Sequence, residues 1–273
     1  MKSLINYIRN LEDPQYDGHI HLFNHKESIV GKIPHEKYDG VKMVGFMDIE
    51  FDDIDNINVP ASYRRFIHRE YDKNKHILLA TGITIEDISE IYYKYKGIIK
   101  GFGELKCYDE YKGNPIKFKK ISFVNDVVKF SCKNGNLPVY IHWNFNNNKD
   151  VEKFESVLKK YPSVPIVLCH CGMSKKGYND FAYSQVCRLG QMYSNLWLDI
   201  SYDALDYFFN KSPQLLQLPT SRVISGTDLN CKNYGPNHKF ENEYNNTVEK
   251  MKIIQRFINT SNNLKRLFHI EGS

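Results

Sequence analysis

The chain has 273 residues, of which 41% are hydrophobic and 25% are charged, and its formal net charge is +5. This composition is that of an ordinary globular protein and excludes a disordered chain. The basic residues are mostly lysines scattered along the sequence, so a nucleic-acid partner is disfavoured. No stretch approaches the roughly 18 apolar residues of a membrane-spanning helix, so we expect no membrane contact.

The cysteines indicate a reducing compartment. They are spread through a long chain without a C-x-x-C pair, which favours free thiols over a disulfide framework; they are residues 107, 132, 169, 171, 187 and 231. The first 14 residues lack the apolar core and cleavage site of a signal peptide. The sequence therefore predicts a cytoplasmic protein.

Short apolar runs alternate with longer polar segments along the whole chain, and these runs are the strand candidates. The predicted strands are Gln15–Leu22, Val41–Asp48, His76–Ile83, Ile98–Cys107, Pro138–His142, Pro165–His170, Asn195–Ser201 and Arg222–Asp228. The segments after them have helical periodicity. The predicted helices are Tyr63–Lys73, Ile85–Lys96, Ile121–Asn134, Lys149–Tyr161, Asn179–Tyr193, Tyr202–Gln217, Asn242–Ile258 and Ser261–Glu271.

This alternation predicts an α/β protein with a (β/α)8 TIM barrel. A doubly wound open sheet would alternate in the same way, but no GxGxxG motif follows the first strand. Barrels of this class occupy about 200–250 residues as one unit. We therefore expect residues 1–273 to form a single domain, with the polar stretches 50–60 and 230–246 as excursions over the barrel mouth.

Polar residues stand where the predicted strands end, which is where barrels of this class carry their active sites. The first strand ends in Asp17-Gly18-His19-Ile20-His21, and side chains alternate faces along a strand, so His19 and His21 are predicted to point into the barrel together. The other polar strand ends are Glu104 and Lys106, His142, His170 and Asp228.

Each of these residues alone has an ordinary explanation. A histidine after a strand is often a polar loop residue, an aspartate there is often a helix cap, and Glu104 has Lys106 as an ion-pair partner. Together they would converge at one barrel mouth, where buried carboxylates and imidazoles are costly unless a cation pairs with them. The set therefore predicts a divalent metal site, and imidazole ligands suit zinc, iron, nickel and similar metals. Cys169 and Cys171 flank His170 and would point away from it on a strand, so we expect them to be structural.

As a set, the strand-end motifs resemble the amidohydrolase superfamily of metal-dependent hydrolases. The motifs are DGHIH, GFGELK, YIHW, LCHCG and SGTD in chain order, and they span the barrel from Asp17 to Asp228. The chain is most similar to the amidohydrolase-related branch, which includes decarboxylases and lactonases. Glu104 also resembles the bridging glutamate of TatD-like nucleases, whose motif continues as Gly-Leu-Asp, whereas Lys106 and Cys107 follow here.

The resemblance implies roles for the metal ligands. His19 and His21 would hold the more buried metal ion, and Asp228 would bind that ion and take a proton from the attacking water. His142 would be a ligand whether one or two ions are bound. His170 would bind a second ion, or would polarise the substrate where only one ion is present.

The same resemblance implies roles for residues around these ligands. Glu104 would bridge two ions. Lys106 would replace Glu104 as the bridge if it were carboxylated, or would contact an anionic substrate. Asp17 would anchor the backbone rather than bind metal.

Taken together, the sequence predicts a hydrolase with one or two divalent ions, zinc above all, acting on a small anionic substrate with an amide, ester, lactone or phosphoester bond. Trp143 and His25 follow strand ends and are the candidate substrate contacts beside Lys106. The alternatives are a mononuclear-zinc decarboxylase of the same branch, a TatD-like DNase, or a barrel whose site only binds. A homo-oligomer is compatible with the sequence but is not specified by it.

Overall fold

The computed structural model describes residues 16–22, 42–47, 61, 63–64, 67–68, 71–74, 76–82, 84–107, 121–173, 177–228 and 240–270. Its centre is a sheet of eight parallel strands in which each strand pairs with the next one along the chain. The strands are β1 Tyr16–Leu22, β2 Lys42–Met47, β3 His76–Ala80, β4 Ile99–Lys106, β5 Val139–His142, β6 Ile166–Leu168, β7 Leu196–Ile200 and β8 Val223–Ser225.

The sheet curves until its last strand reaches its first. Just beyond β8, the amide of Asp228 donates to the carbonyl of His19 on β1, at 2.8 Å. The (β/α)8 barrel predicted from the sequence is confirmed. The helices that follow the strands are α1 Ile85–Lys94, α2 Ile121–Lys133, α3 Asn148–Lys160, α4 Asp180–Met192, α5 Tyr202–Asn210, α6 Phe240–Phe257 and α7 Thr260–Leu267.

The strands form because both of their faces are buried, as is usual for parallel sheets. All five residues of β3 and all five of β7 are buried. Alternate residues divide between two layers. Trp197 and Tyr140 belong to the cluster inside the barrel, whereas Leu198 and Ile141 belong to the layer between strands and helices. A polar residue two positions after Trp197 or Tyr140 is thereby directed into the barrel.

Helix starts agree with the predictions to within a few residues because local caps define them. Thr84 begins α1 with a capping box that includes Asp87, and Asn147 and Asn179 cap α3 and α4 through their side-chain oxygens. Each cap satisfies an amide that has no partner inside its own helix.

The structure differs from the predictions at the end of the sixth strand and in the helix after the seventh. The sixth strand ends at Leu168 rather than at His170, and Cys169–Gly172 form a 3-10 turn in which the φ angles of His170 and Cys171 are 51° and 50°. The predicted helix Tyr202–Gln217 ends at Asn210, and a 3-10 turn follows over Ser212–Gln217. Pro213 lies in the first turn of that segment, where it cannot donate a helical hydrogen bond.

The described residues contain no helix that is long and apolar enough to cross a membrane. The predicted excursion 50–60 lies outside the described residues. The other, 230–246, is described only from residue 240, where α6 begins.

Candidate metal centre

The carboxyl ends of the strands bring most of the predicted ligands together inside the barrel. Among the described residues, two groups of side chains that share His170 have possible ligand atoms within 4.8 Å of one another. The groups are His19, His170 and Asp228, and Glu104, His142 and His170.

The first group joins β1 to the segments after β6 and β8. The Nε2 atom of His19 lies 3.3 Å from Oδ1 of Asp228, and Nδ1 of His170 lies 3.9 Å from Oδ2 of the same carboxylate. The ring centroids of His19 and His170 are 5.0 Å apart. Asp228 is the only member of this group with appreciable side-chain exposure, at 14%.

The second group joins β4, β5 and the turn after β6. The Oε1 atom of Glu104 lies 2.8 Å from Nδ1 of His142 and 3.4 Å from Nε2 of His170. The ring centroids of His142 and His170 are 4.6 Å apart. The two groups therefore adjoin through one imidazole.

The donor set fits a divalent transition metal. Two ligands of a tetrahedral zinc ion with bonds of about 2.0–2.1 Å lie roughly 3.3–3.4 Å from each other. The His19–Asp228 separation of 3.3 Å and the His170–Glu104 separation of 3.4 Å have this length. The His142–Glu104 separation of 2.8 Å is that of a hydrogen bond.

The buried charges of the site perturb one another strongly. Burial alone would raise the pKa of Glu104, but His142, His170 and Lys106 outweigh it and hold that pKa well below its ordinary value. Burial alone would lower the pKa of His19, but Asp199 and Asp228 raise it well above its ordinary value. These opposite shifts show that imidazoles and carboxylates of the site interact strongly, as expected where a cation would be held.

The pKa values of the other two histidines differ in direction. Burial dominates at His142 and lowers its pKa, although Glu104 opposes the change. At His170 the carboxylates of Asp228 and Glu104 outweigh burial and raise the pKa.

Asp17 anchors the strand that carries His19. Its carboxylate accepts hydrogen bonds from the amide of His19 at 3.1 Å, and from the amide and the hydroxyl of Thr227 at 3.0 and 2.7 Å. Burial raises its pKa to about 6, although these hydrogen bonds act in the opposite direction. These contacts agree with the anchoring role that the family resemblance implies.

Asp228 has a left-handed backbone, with φ of 53°. Aspartate is one of the few residue types that tolerate this region. The hydrogen bond from its amide to His19 holds the conformation and turns the carboxylate toward His19 and His170.

The strand β7 contributes two site residues that the sequence analysis did not select. Asp199 is fully buried, and its Oδ2 atom lies 2.6 Å from Nδ1 of His19. Ser201 lies directly after β7, with its Oγ atom 2.8 Å from Nδ1 of His170. The signal was present in the sequence, because Asp199 is two residues after Trp197 and so faces the barrel interior.

Cys169 also lies nearer the site than expected. Its Sγ atom belongs to a third group with His19 and Asp199, all within 4.8 Å of one another. Cys169 faces the barrel interior two residues after Val167, as strand alternation requires, and His170 reaches the same site because the chain turns there. Cys171 packs behind the site and donates a hydrogen bond to the carbonyl of Asp199 at 3.4 Å.

The predicted substrate contacts have different outcomes. The Nζ atom of Lys106 lies 3.9 Å from Oε2 of Glu104 with 21% of the side chain exposed, so this residue stands at the site. Trp143 instead packs in the layer between strands and helices, where its indole donates to the carbonyl of Asp150 at 3.0 Å. This packing does not place Trp143 at the mouth. His25 lies outside the described residues, as does the side chain of His21, whose backbone is part of β1.

The amidohydrolase family model matches residues 131–229. The match includes His142, His170 and Asp228, three of the ligands predicted from the motifs. The amidohydrolase resemblance is thereby confirmed. No match exists among curated proteins.

Solved structures of several hydrolases share the fold of the whole barrel. An amidohydrolase from Burkholderia multivorans with bound zinc has a TM-score of 0.63 at 10% identity, covering 94% of this chain and 100% of its own. A putative 2-pyrone-4,6-dicarboxylic acid hydrolase from Pseudomonas putida has a TM-score of 0.59 at 12% identity, covering 94% and 98%. A TatD-family hydrolase from Entamoeba histolytica has a TM-score of 0.60 at 11% identity, covering 94% and 99%. At these identities the likeness establishes the fold.

Proposed function

We propose that the protein is a metal-dependent hydrolase whose site is formed by His19, Glu104, His142, His170 and Asp228. The observation that carries this proposal is the pair of adjoining imidazole–carboxylate groups inside an amidohydrolase-type barrel. Imidazole-rich sets with carboxylates suit zinc above the harder cations. A bound ion of this kind lowers the pKa of a coordinated water toward neutrality and polarises a carbonyl or phosphoryl group.

The proton transfers belong to Asp228. Its carboxylate is the most exposed of the ligand groups around His19, at 14%, so it can meet both an incoming water and the substrate. It accepts the proton of the attacking water at Oδ1 or Oδ2 and returns it to the leaving group. The nearby His170 imidazole can stabilise negative charge that develops on the substrate.

A small anionic substrate suits the charges at the mouth. Lys106 keeps 21% of its side chain exposed beside Glu104, and the chain as a whole carries a formal charge of +5. We therefore expect the Lys106 ammonium to bind a carboxylate or phosphate of the substrate. Replacing it by methionine should raise KM more than it lowers kcat.

The test compares metal content and turnover in two matched variants. Protein purified without chelator should hold one or two equivalents of zinc or a similar ion and should hydrolyse at least one member of a panel of amides, lactones and phosphoesters. Asp228→Asn should keep the melting temperature but lose about 10²- to 10⁴-fold in kcat. The control is Asp206→Asn, the same change on an exposed part of α5, where 58% of the side chain is accessible.

Each outcome decides between the alternatives. Protein without metal, or an Asp228→Asn variant with turnover near wild type, would refute the proposed mechanism. A single equivalent of metal together with carbon dioxide release would favour the decarboxylase alternative.

A further inference from the structure

A continuous chain of hydrogen bonds runs through β7 and links two of the candidate metal ligands. The Oδ2 atom of Asp199 lies 2.6 Å from Nδ1 of His19 and 2.8 Å from Oγ of Ser201. The same Oγ lies 2.8 Å from Nδ1 of His170. All four residues are buried.

The donors in this chain follow from the chemistry of its members. An ionised carboxylate only accepts hydrogen bonds, and a serine hydroxyl has a single proton to donate. Ser201 gives that proton to Asp199, so its contact with His170 requires Nδ1 of the ring to be the donor. The contact between Asp199 and His19 likewise requires a proton on Nδ1 of His19.

This assignment directs the opposite nitrogen of each ring into the site. The Nε2 atom of His19 lies 3.3 Å from Oδ1 of Asp228, and the Nε2 atom of His170 lies 3.4 Å from Oε1 of Glu104. With its Nδ1 engaged by Ser201, His170 can offer only Nε2 to a metal. It therefore belongs with Glu104 and His142 rather than with His19 and Asp228.

Asp199 is too close to His19 to share an ion with it. Two atoms bound to one tetrahedral zinc ion lie roughly 3.3–3.4 Å apart, and the 2.6 Å contact is clearly shorter. Within the group of His19, Cys169 and Asp199, the contact between His19 and Asp199 is thus a hydrogen bond rather than a pair of ligands on one ion. The other oxygen of Asp199, Oδ1, has no hydrogen-bond partner among the described residues. Such an oxygen costs folding free energy, so the carboxylate is better explained by the site than by stability.

We propose that Asp199 and Ser201 are positioning residues that hold a proton on Nδ1 of both His19 and His170, so that each ring presents Nε2 to the metal. The proposal rests on the proposed metal site, but the ring tautomers can be measured without any metal. Partners of this kind orient a ligating imidazole and raise its basicity, and their loss typically weakens metal binding 10- to 100-fold.

The first measurement is two-bond ¹H–¹⁵N NMR of the labelled protein without metal, followed to a pH at which both rings are neutral, because a doubly protonated imidazole carries protons on both nitrogens. We expect protonated Nδ1 atoms in both His19 and His170. A ring that carries its only proton on Nε2 would overturn the proposal even if the protein binds zinc. Conversely, protonated Nδ1 atoms in a protein that binds no metal would uphold the assignment of the tautomers while the proposed function failed.

The second measurement is zinc affinity by competition with a chelator. Asp199→Ala and Ser201→Ala should each weaken binding about 10- to 100-fold, the first at the His19 site and the second at the His170 site. Asp199→Asn should recover part of the loss, because its amide oxygen can accept both hydrogen bonds. Ser201→Thr should recover most of it by keeping the hydroxyl.

The control is Ser225→Ala on β8. Ser225 is as buried as Ser201, and its hydroxyl bonds to Thr260 rather than to a histidine. The Ser225→Ala substitution should change zinc affinity less than threefold. Equal losses of melting temperature in the Ser201 and Ser225 variants, with zinc affinity unchanged in both, would show that Ser201 has only a structural role.

Discussion

Gly226 lies where the last strand meets the first, and a side chain at this position is expected to damage both the barrel and the site. A Cβ atom added there would lie 2.4 Å from the amide nitrogen of His19, 2.5 Å from its Cβ and 2.8 Å from its Cα. Ordinary contacts begin at 3.4 Å. Because two of these neighbours are backbone atoms, one strand must move by about 1 Å to admit the methyl group.

The cost can be estimated from this overlap. Overpacking a close contact costs about 1–3 kcal/mol. For a protein of this size, each kcal/mol lowers the melting temperature by about 2–4 °C, so Gly226→Ala should lower it by roughly 2–12 °C. The displaced strand carries His19, and a shift near 1 Å in a functional group can cost about 100-fold in activity. We expect zinc affinity to fall at least tenfold.

Gly97→Ala is the matched control, because a Cβ atom there meets nothing within 4 Å. Thermal unfolding and zinc competition should be measured on both variants. The control should remain within about 0.5 kcal/mol of wild type. A Gly226→Ala protein with the melting temperature and zinc affinity of the control would refute the reasoning, because it would show that the junction between β8 and β1 admits a methyl group at no cost.

Three further substitutions test contacts outside the ligands. Hydrogen bonds from Arg188 and Tyr193 lower the pKa of Glu155, so the stability from these contacts is present above pH 4.5 and is lost as the pH falls through the lowered pKa. Glu155→Gln should therefore make the free energy of unfolding, measured by urea titration, depend less on pH in the acid range. A variant with the pH profile of the wild type would contradict this expectation. Arg222 donates hydrogen bonds to three backbone carbonyls at 2.5, 2.9 and 2.7 Å. Arg222→Met should lower the free energy of unfolding in urea by about 2–4 kcal/mol. A loss below about 1 kcal/mol would show that these three hydrogen bonds contribute little to stability. Trp143→Phe should lower the free energy of thermal unfolding by about 1 kcal/mol and leave KM unchanged. A raised KM would instead support the predicted contact between Trp143 and the substrate.

The strand ends could be predicted because each follows an apolar run whose period is set by burial. His19 and His142 lie on strands, so alternation places them on the interior face. Glu104 faces the interior because the register of β4 shifts between Phe102 and Leu105, both of which pack in the outer layer. The eight strands were found for the same reason, although their ends moved by up to three residues. Asp228 was found because it follows the last apolar run, even though it lies beyond the strand itself.

The turn at His170 could not be predicted in this way. The apolar run continues through Cys169, so the pattern favours a strand up to His170, although the backbone enters the left-handed region at His170 itself. Close packing of Gly172 against Phe145 contributes to this turn, since a Cβ on Gly172 would lie 2.8 Å from that ring. Such contacts are between distant parts of the chain and leave no local periodicity.

The β7 residues were missed for a different reason. Asp199 is an interior position by alternation, but the search considered only the final residue of each strand. A rule that examined every polar residue on the interior face would have selected it. Its importance comes from contact with His19, 180 residues away in sequence.

The closing hydrogen bond of the barrel joins two candidate metal ligands, since Asp228 donates its amide to the carbonyl of His19. Breaking the contact between β8 and β1 would separate His19 from Asp228. Metal occupancy of the site and closure of the barrel are therefore thermodynamically linked. A ligand that binds only the closed form at 100 times its Kd adds about 2.7 kcal/mol to the opening free energy. Hydrogen exchange at the Asp228 amide should therefore slow about 100-fold on metal loading, which makes that single amide a reporter of the metal centre in the folded protein.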